Sequence, residues 1–173
     1  MFRSNRILFL LLSFCLSACV TTQDNKMTVS GTPDTAPPKY RNAFAVRSIN
    51  GACNVSAAGI KPLVCVEAPV SPESIKDALE KSLAANGYLA SGTPKYYIDM
   101  DIEEARLPML AVDVEVTTTV TYKVSGDGVV KTYPIKSTGT AQFSENLVGA
   151  VRGRNAIMYS LKQNFTQFLQ ALR

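Results

Sequence analysis

Apolar and polar residues alternate most regularly over residues 112–124. Val112, Val114, Val116, Thr118, Val120, Tyr122 and Val124 fall on one side, and Asp113, Glu115, Thr117, Thr119, Thr121 and Lys123 on the other. A two-residue period of this length predicts a strand with one buried face, in an antiparallel sheet whose other face is open to solvent. The same period runs through 95–103, with Tyr96, Ile98, Met100 and Ile102 opposite Tyr97, Asp99, Asp101 and Glu103. Gly126-Asp127-Gly128 predicts a tight turn, and a returning strand over 129–143 carries Val129, Tyr133, Ile135, Ala141 and Phe143 in one register. Pro134 cannot donate to a ladder and predicts an edge position or a bulge. A looser alternation over 40–49 puts Phe44, Val46 and Ser48 on one side of a further strand. Residues 51–61 then read as a loop, and 63–67 as a short strand or an irregular excursion.

The period changes at Ser71-Pro72. Serine is a good helix cap and proline is tolerated in the first turn. Ile75, Ala78, Leu79, Ser82 and Leu83 follow at three- and four-residue steps, and Asn86-Gly87 supplies a stop, with Tyr88 and Leu89 folding back on the helix end. A second helix is predicted over 147–172, where Ile157, Leu161, Asn164, Phe165, Phe168 and Leu172 recur at helical spacing. Gly149 and Gly153 weaken its start, so its regular part is expected from Arg154. Strands wet on one face and helices apolar on one face assemble into an α+β fold. It is expected as a two-layer sandwich, a mainly antiparallel sheet with two helices packed on one face.

The amino end follows neither period. Arg3 and Arg6 precede an apolar run over 7–16, and Ser17 and Ala18 lead to Cys19. This is the layout of a secretory signal peptide, shorter than the roughly 20 apolar residues of a spanning helix. Leu16-Ser17-Ala18-Cys19 resembles the bacterial lipobox. The resemblance implies that the Cys19 thiol receives a diacylglycerol, that the signal is cut just before it, and that the new amino end is further acylated, palmitate being a typical chain. Val20 is not aspartate, the inner-membrane retention residue of enteric lipoproteins, which favours the periplasmic face of the outer membrane. The organisation expected is therefore a signal over 1–18, a polar flexible tether over 19–39 and one domain over 40–173.

The signal changes the charge. The precursor has 18 basic and 14 acidic residues; without Arg3 and Arg6 the excess falls to two, too little to suggest a nucleic-acid partner. Of four cysteines, Cys15 leaves with the signal and Cys19 is the lipid site. Cys53 and Cys65 remain as a disulfide candidate in an oxidising compartment, with two free thiols as the alternative. Histidine is absent, which removes Ser-His-Asp and Cys-His catalysis and histidine-based metal sites. No phosphate-binding glycine loop or GxSxG occurs, so no enzyme activity and no cofactor are expected.

Candidate interaction residues remain. Asp99, Asp101 and Glu103, with Asp113 and Glu115 beside them, would share the open sheet face with Thr117, Thr119 and Thr121. A solvated acidic surface is favoured there over a divalent-ion site or a catalytic acid pair. Arg152 and Arg154 sit near a helix start, where cations are less welcome, and read as solvated surface or as contacts to lipid head groups or a partner's carboxylates. With Ala-Asn-Gly-Tyr ending the first helix, the long meander and Asn164-Phe165 in the last helix, residues 40–172 resemble the small α/β lipoproteins of the Gram-negative envelope, most of all the YajG-like group. That resemblance implies an accessory role in envelope assemblies. The leading expectation is a non-enzymatic, membrane-anchored accessory protein that binds an envelope protein. The alternatives are a binding module for lipid, lipopolysaccharide or peptidoglycan, and a structural lipoprotein without a dedicated ligand. A deep apolar pocket would favour lipid; a filled core with a flat polar face would favour a protein partner.

Overall fold

The computed structural model describes residues 26–57, 68–107 and 112–173. Strands β1 (Phe44–Asn50) and β2 (Val55–Ala57) precede helix α1 (Pro72–Ala85). Strands β3 (Tyr96–Leu107), β4 (Val114–Gly126) and β5 (Val129–Ala141) follow, then helix α2 (Gly149–Ala171). The five strands form one mixed sheet in the order β1-β3-β4-β5, with β2 continuing beside the far end of β3. β1 and β2 run parallel to β3, because α1 carries the chain back before β3 begins, whereas β3-β4-β5 is an antiparallel meander. Both helices cover the face that carries Tyr96, Ile98, Met100, Val116, Val120 and Tyr122, all buried. The fold class is α+β with an open sheet, as the two periods predict.

α1 forms where its capping signals stand. Ser71 Oγ accepts from the Ser74 backbone nitrogen at 3.1 Å, and the buried side is Ile75, Ala78, Leu79, Ser82 and Leu83. Beyond Asn86, Gly87 takes φ +77°, and an added Cβ there would run into the carbonyl oxygen of Pro33. Tyr88 then donates its backbone N–H to Leu83 at 2.8 Å and is fully buried. Removing the cap in Ser71→Ala is expected to lower stability by about 1 kcal/mol. Urea denaturation with an unchanged slope checks this; an unchanged midpoint would mean the cap is not used.

The hairpin between β4 and β5 is closed by Asp127 (φ 50°) and Gly128 (φ 72°), the left-handed pair a two-residue hairpin requires. Such a loop makes Gly126 and Val129 a hydrogen-bonded pair. Odd-numbered residues of β5 therefore bond to β4, and even-numbered ones turn their amides to the free edge. Pro134 is one of the latter, so its missing N–H costs no ladder bond, and it occupies the expected edge without a bulge.

Several expectations change. Residues 26–39 of the expected tether pack on the domain. Met27 is fully buried, Ala36 is 2 % exposed, Val29 donates its backbone N–H to Ser82 Oγ at 2.9 Å, and residues 33–35 form a 3-10 turn. The sequence hides this because one methionine and one alanine among polar residues carry no periodicity. β2 lies inside the expected loop 51–61, fixed by the Asn54 amide donating to the Ile102 carbonyl at 2.7 Å; three residues are too few to show a period. Ser48 leaves the expected core side because β1 shifts register between Val46 and Ser48. Val112 precedes β4 and is exposed, and Phe143 lies past the end of β5, half exposed in a 3-10 turn. α2 begins at Gly149 rather than Arg154. The Val148 carbonyl accepts from Val151 and Arg152, and the Arg152 guanidinium donates to the Asn146 carbonyl at 2.6 Å. Those bonds outweigh the weak propensity of two glycines, one of which, Gly153, lets Leu107 pack close. The expected signal over 1–18, Cys19, the strand candidate 63–67 and Cys65 lie outside the described residues. Cys53 is disulfide-bonded, and its partner lies outside them too. Among the described residues no helix is long and apolar enough to cross a membrane.

Candidate functional site: the open sheet face

Alternation along β3, β4 and β5 sends every second side chain to the uncovered face, and the register sets them in rows. Asp99 lies between Ser48 of β1 and Lys123 of β4, and Lys123 faces Thr132 of β5. The next row is Asn50, Asp101, Thr121 and Pro134. After a second irregularity, between Ile102 and Glu104, Glu104 meets Thr119 and Lys136, and Arg106 meets Thr117 and Thr138. Glu115 and Thr140 end the face. The result is an open lattice of hydroxyls and charges of both signs.

Some of its charges are paired. Arg47 grips the Asp99 carboxylate with Nε at 2.8 Å and with one terminal nitrogen, and Ser48 Oγ donates to the same carboxylate at 2.8 Å. Thr121 donates to Glu103 at 2.6 Å, and Arg106 pairs with Glu104 at 2.7 Å. Hydrogen bonding from Arg47, which outweighs the opposing effect of burial, holds the Asp99 carboxyl below its ordinary range. A carboxyl with a depressed folded-state pKa adds stability above its unfolded pKa of about 4, and loses it as the pH falls through the lower folded value. The domain is therefore expected to lose part of its stability to acid below about pH 4, and Asp99→Asn to remove that part of the slope. Urea denaturation at stepped pH checks it; identical slopes in both proteins would contradict it.

The sequence groups Asp99, Asp101, Glu103, Thr117 and Thr119 on this face, and the structure brings all five there. It removes Asp113, whose carboxylate accepts the Phe143 backbone N–H at 2.8 Å just ahead of β4. It also separates Arg152 and Arg154, which belong to α2 on the covered side of the sheet. Arg152 is not solvated surface. It is 7 % exposed, with its guanidinium 5.0 Å from the centre of the Phe143 ring. Arg154 is exposed. Sequence reasoning missed Arg47: alternation with Phe44 and Val46 already puts it on the open side, but nothing in the sequence says that β1 pairs with β3 and so sets it beside Asp99. Among the described residues no group of three or more carboxylates or thiols is placed to hold a metal ion.

Among the described residues, the covered side carries the buried core, Phe44, Leu79, Ile98, Tyr122, Phe165 and Phe168 all being fully buried. Between α1, α2 and β3, an apolar recess lined by Val55, Val70, Ile75, Ile102 and Leu161 has a volume of about 10 Å³. That is room for about one water molecule. Deeper, Tyr122 Oη donates to Asn164 Oδ1 at 2.8 Å, the Asn164 amide donates to Ser137 Oγ at 3.0 Å, and the Thr118 and Ser160 hydroxyls meet at 2.7 Å. These polar groups are buried and mutually satisfied, which fixes α2 on the meander rather than forming a reactive centre.

No family model matches the sequence, and no curated protein is significantly similar to it. Several solved structures share a likeness in shape. A provisionally assigned lipoprotein from Caulobacter crescentus has 13 % identity and a TM-score of 0.44, covering 70 % of this chain and 87 % of that one. A Xanthomonas campestris protein described as DUF330 has 12 % identity and a TM-score of 0.43, covering 82 % and 90 %. A dodecameric PelC variant from Paraburkholderia phytofirmans has 21 % identity and a TM-score of 0.37, covering 78 % and 93 %. None of these scores reaches the level at which an activity or a partner could be carried across.

Proposed function

We propose that this protein is a non-enzymatic accessory lipoprotein of the bacterial envelope, anchored through Cys19 at the periplasmic face of the outer membrane and holding an envelope protein on its open sheet face. The observation that carries the partner half is that face itself: among the described residues, an open lattice of hydroxyls and charges, some of them paired, on a sheet whose other side carries the buried core. Such a surface offers hydrogen-bond and charge complementarity, which gives specificity between proteins. The recess of about 10 Å³ under the helices has no room for an acyl chain, which disfavours lipid carriage there. Asp99 is held ionised by Arg47 rather than kept protonated, as a general acid must be. With histidine absent from the chain, this supports a binding role over a catalytic one. The anchor rests on Leu16-Ser17-Ala18-Cys19 after its apolar run, and the outer-membrane destination on Val20. Several acyl chains on one residue make such an anchor durable, where one holds only reversibly.

Mass spectrometry of the protein isolated from its membrane fraction tests the anchor. The expected result is a chain whose first residue is Cys19, with glyceride and acyl groups on it. An unmodified Cys19, or a chain beginning elsewhere, would overturn the anchor.

A further inference from the structure

Seven large apolar side chains are exposed among the described residues, and five of them lie at one end of the molecule: Val112, Phe143, Leu147, Val148 and Val151. Leu147 is the most exposed of all, at 78 %. Scattered apolar residues are ordinary on a surface, but a contiguous set marks a contact. This set is built rather than frayed. The Phe143 backbone N–H is held by Asp113, Glu145 accepts the Tyr159 hydroxyl at 2.6 Å, and Asn146 Oδ1 accepts the Val148 N–H at 2.8 Å. The buried Arg152 guanidinium supports the Phe143 ring from beneath.

The position of the chain's entry says what covers the patch. Lys26 Nζ donates to Asn155 Oδ1 at 3.0 Å and lies 5.7 Å from the centre of the Tyr159 ring. Val148, Val151 and Asn155 stand at three- and four-residue steps on α2, so Lys26 docks on the same stripe as the exposed valines. From Val151 to Asn155 is about 6 Å along the helix axis. Cys19 precedes Lys26 by seven residues, a reach of at most about 25 Å. A lipid on Cys19 therefore keeps this end of α2 close to the bilayer, whatever path those seven residues take.

We propose that the patch formed by Val112, Phe143, Leu147, Val148 and Val151 seats on the phospholipid surface, its apolar side chains entering the head-group boundary and Arg154 facing lipid phosphates. The inference rests on acylation of Cys19. It goes further by fixing the orientation: the meander's Phe143 end meets the membrane, its hairpin end points away, and the open sheet face is left free at the side for a protein.

The chain contains no tryptophan, so a single one reports its own surroundings. Leu147→Trp, and Val130→Trp as the control at the hairpin end, are produced as the acylated full-length mature protein. Acylation is verified by mass, and each protein is reconstituted into phosphatidylethanolamine–phosphatidylglycerol vesicles whose acyl chains carry bromine near the head group. Both sites are exposed, so neither change should disturb folding. The expected result is blue-shifted emission and a loss of about half the intensity for Leu147→Trp, as befits a side chain at the interface, with Val130→Trp unquenched. If the acylated proteins float with the vesicles and neither tryptophan is quenched, or both are quenched equally, the seating is overturned while the anchor stands. If Cys19 carries no lipid, the anchor fails and this inference with it. A blue shift at Leu147→Trp that ignores bromine but grows with protein concentration would assign the patch to a second copy and overturn the membrane as its occupant.

Discussion

Gly139→Ala is expected to lower the unfolding free energy by about 3 kcal/mol, at the upper end of what overpacking a core costs. An added Cβ at Gly139 would run into the Ser160 backbone nitrogen and would approach the Ala156 carbonyl oxygen at 2.5 Å. Both are main-chain atoms of α2, so no rotamer change relieves the contact and the helix must lift from β5. Lifting it stretches the bonds that cross there: Ser137 Oγ to the Ser160 carbonyl at 2.8 Å and Ser160 Oγ to the Ser137 carbonyl at 3.0 Å. Buried groups left without partners add to the cost. Gly92→Ala is the control, since nothing lies within 4 Å of a Cβ there; it is expected to change stability by less than about 0.5 kcal/mol. Urea denaturation of the two variants checks this. Equal midpoints would show that α2 does not approach β5 so closely.

Phe168→Ala is expected to cost about 3–5 kcal/mol. The ring stacks on Tyr122 with centroids 4.1 Å apart and planes 6° from parallel, and it meets Tyr133 edge-on at 5.7 Å. Truncation opens a cavity on both and loosens the wall that holds the Tyr122 hydroxyl on Asn164. Burial alone pushes the Tyr122 phenol well above its ordinary pKa, so a loosened site is also expected to bring Tyr122 back toward ordinary alkaline titration. Thermal or urea unfolding followed by circular dichroism measures the first effect, and ultraviolet titration the second. A loss below about 1 kcal/mol, smaller than any large core truncation, would contradict the packing described.

The meander and both helices are legible in the sequence because each keeps a single period over several turns or pairs. Thr118 and Asn164, polar residues at apolar positions, mark where the buried network lies, although nothing in the spacing says that they bond across to Ser137, Ser160 and Tyr122. What stays hidden are the departures from period. The shift in β1 moves Ser48 outward, so that it joins Arg47 on the Asp99 carboxylate. The irregularity after Ile102 lets β3 continue to Leu107, beyond the expected end at Glu103, with Ala105 buried and Glu104 outside. The packed segment 26–39 is hidden for another reason, since only Met27 and Ala36 of it are buried in the core and two apolar residues so far apart show no period.

The apolar end and the open face fit one orientation. An anchor near Lys26 and a seated Phe143 end would hold the lattice of Asp99, Asp101, Glu103, Thr117 and Thr119 clear of lipid. The measurement that tests the central claim most directly is proximity crosslinking in intact cells from photoreactive residues placed at Thr117 and Thr119, with Arg154 on the opposite layer as the reference position. Mass spectrometry of the adducts is expected to show one dominant envelope protein from the two threonine positions and not from Arg154. Only lipid or glycan adducts from the sheet face, or the same mixed proteins from all three positions, would contradict a protein partner held on that face.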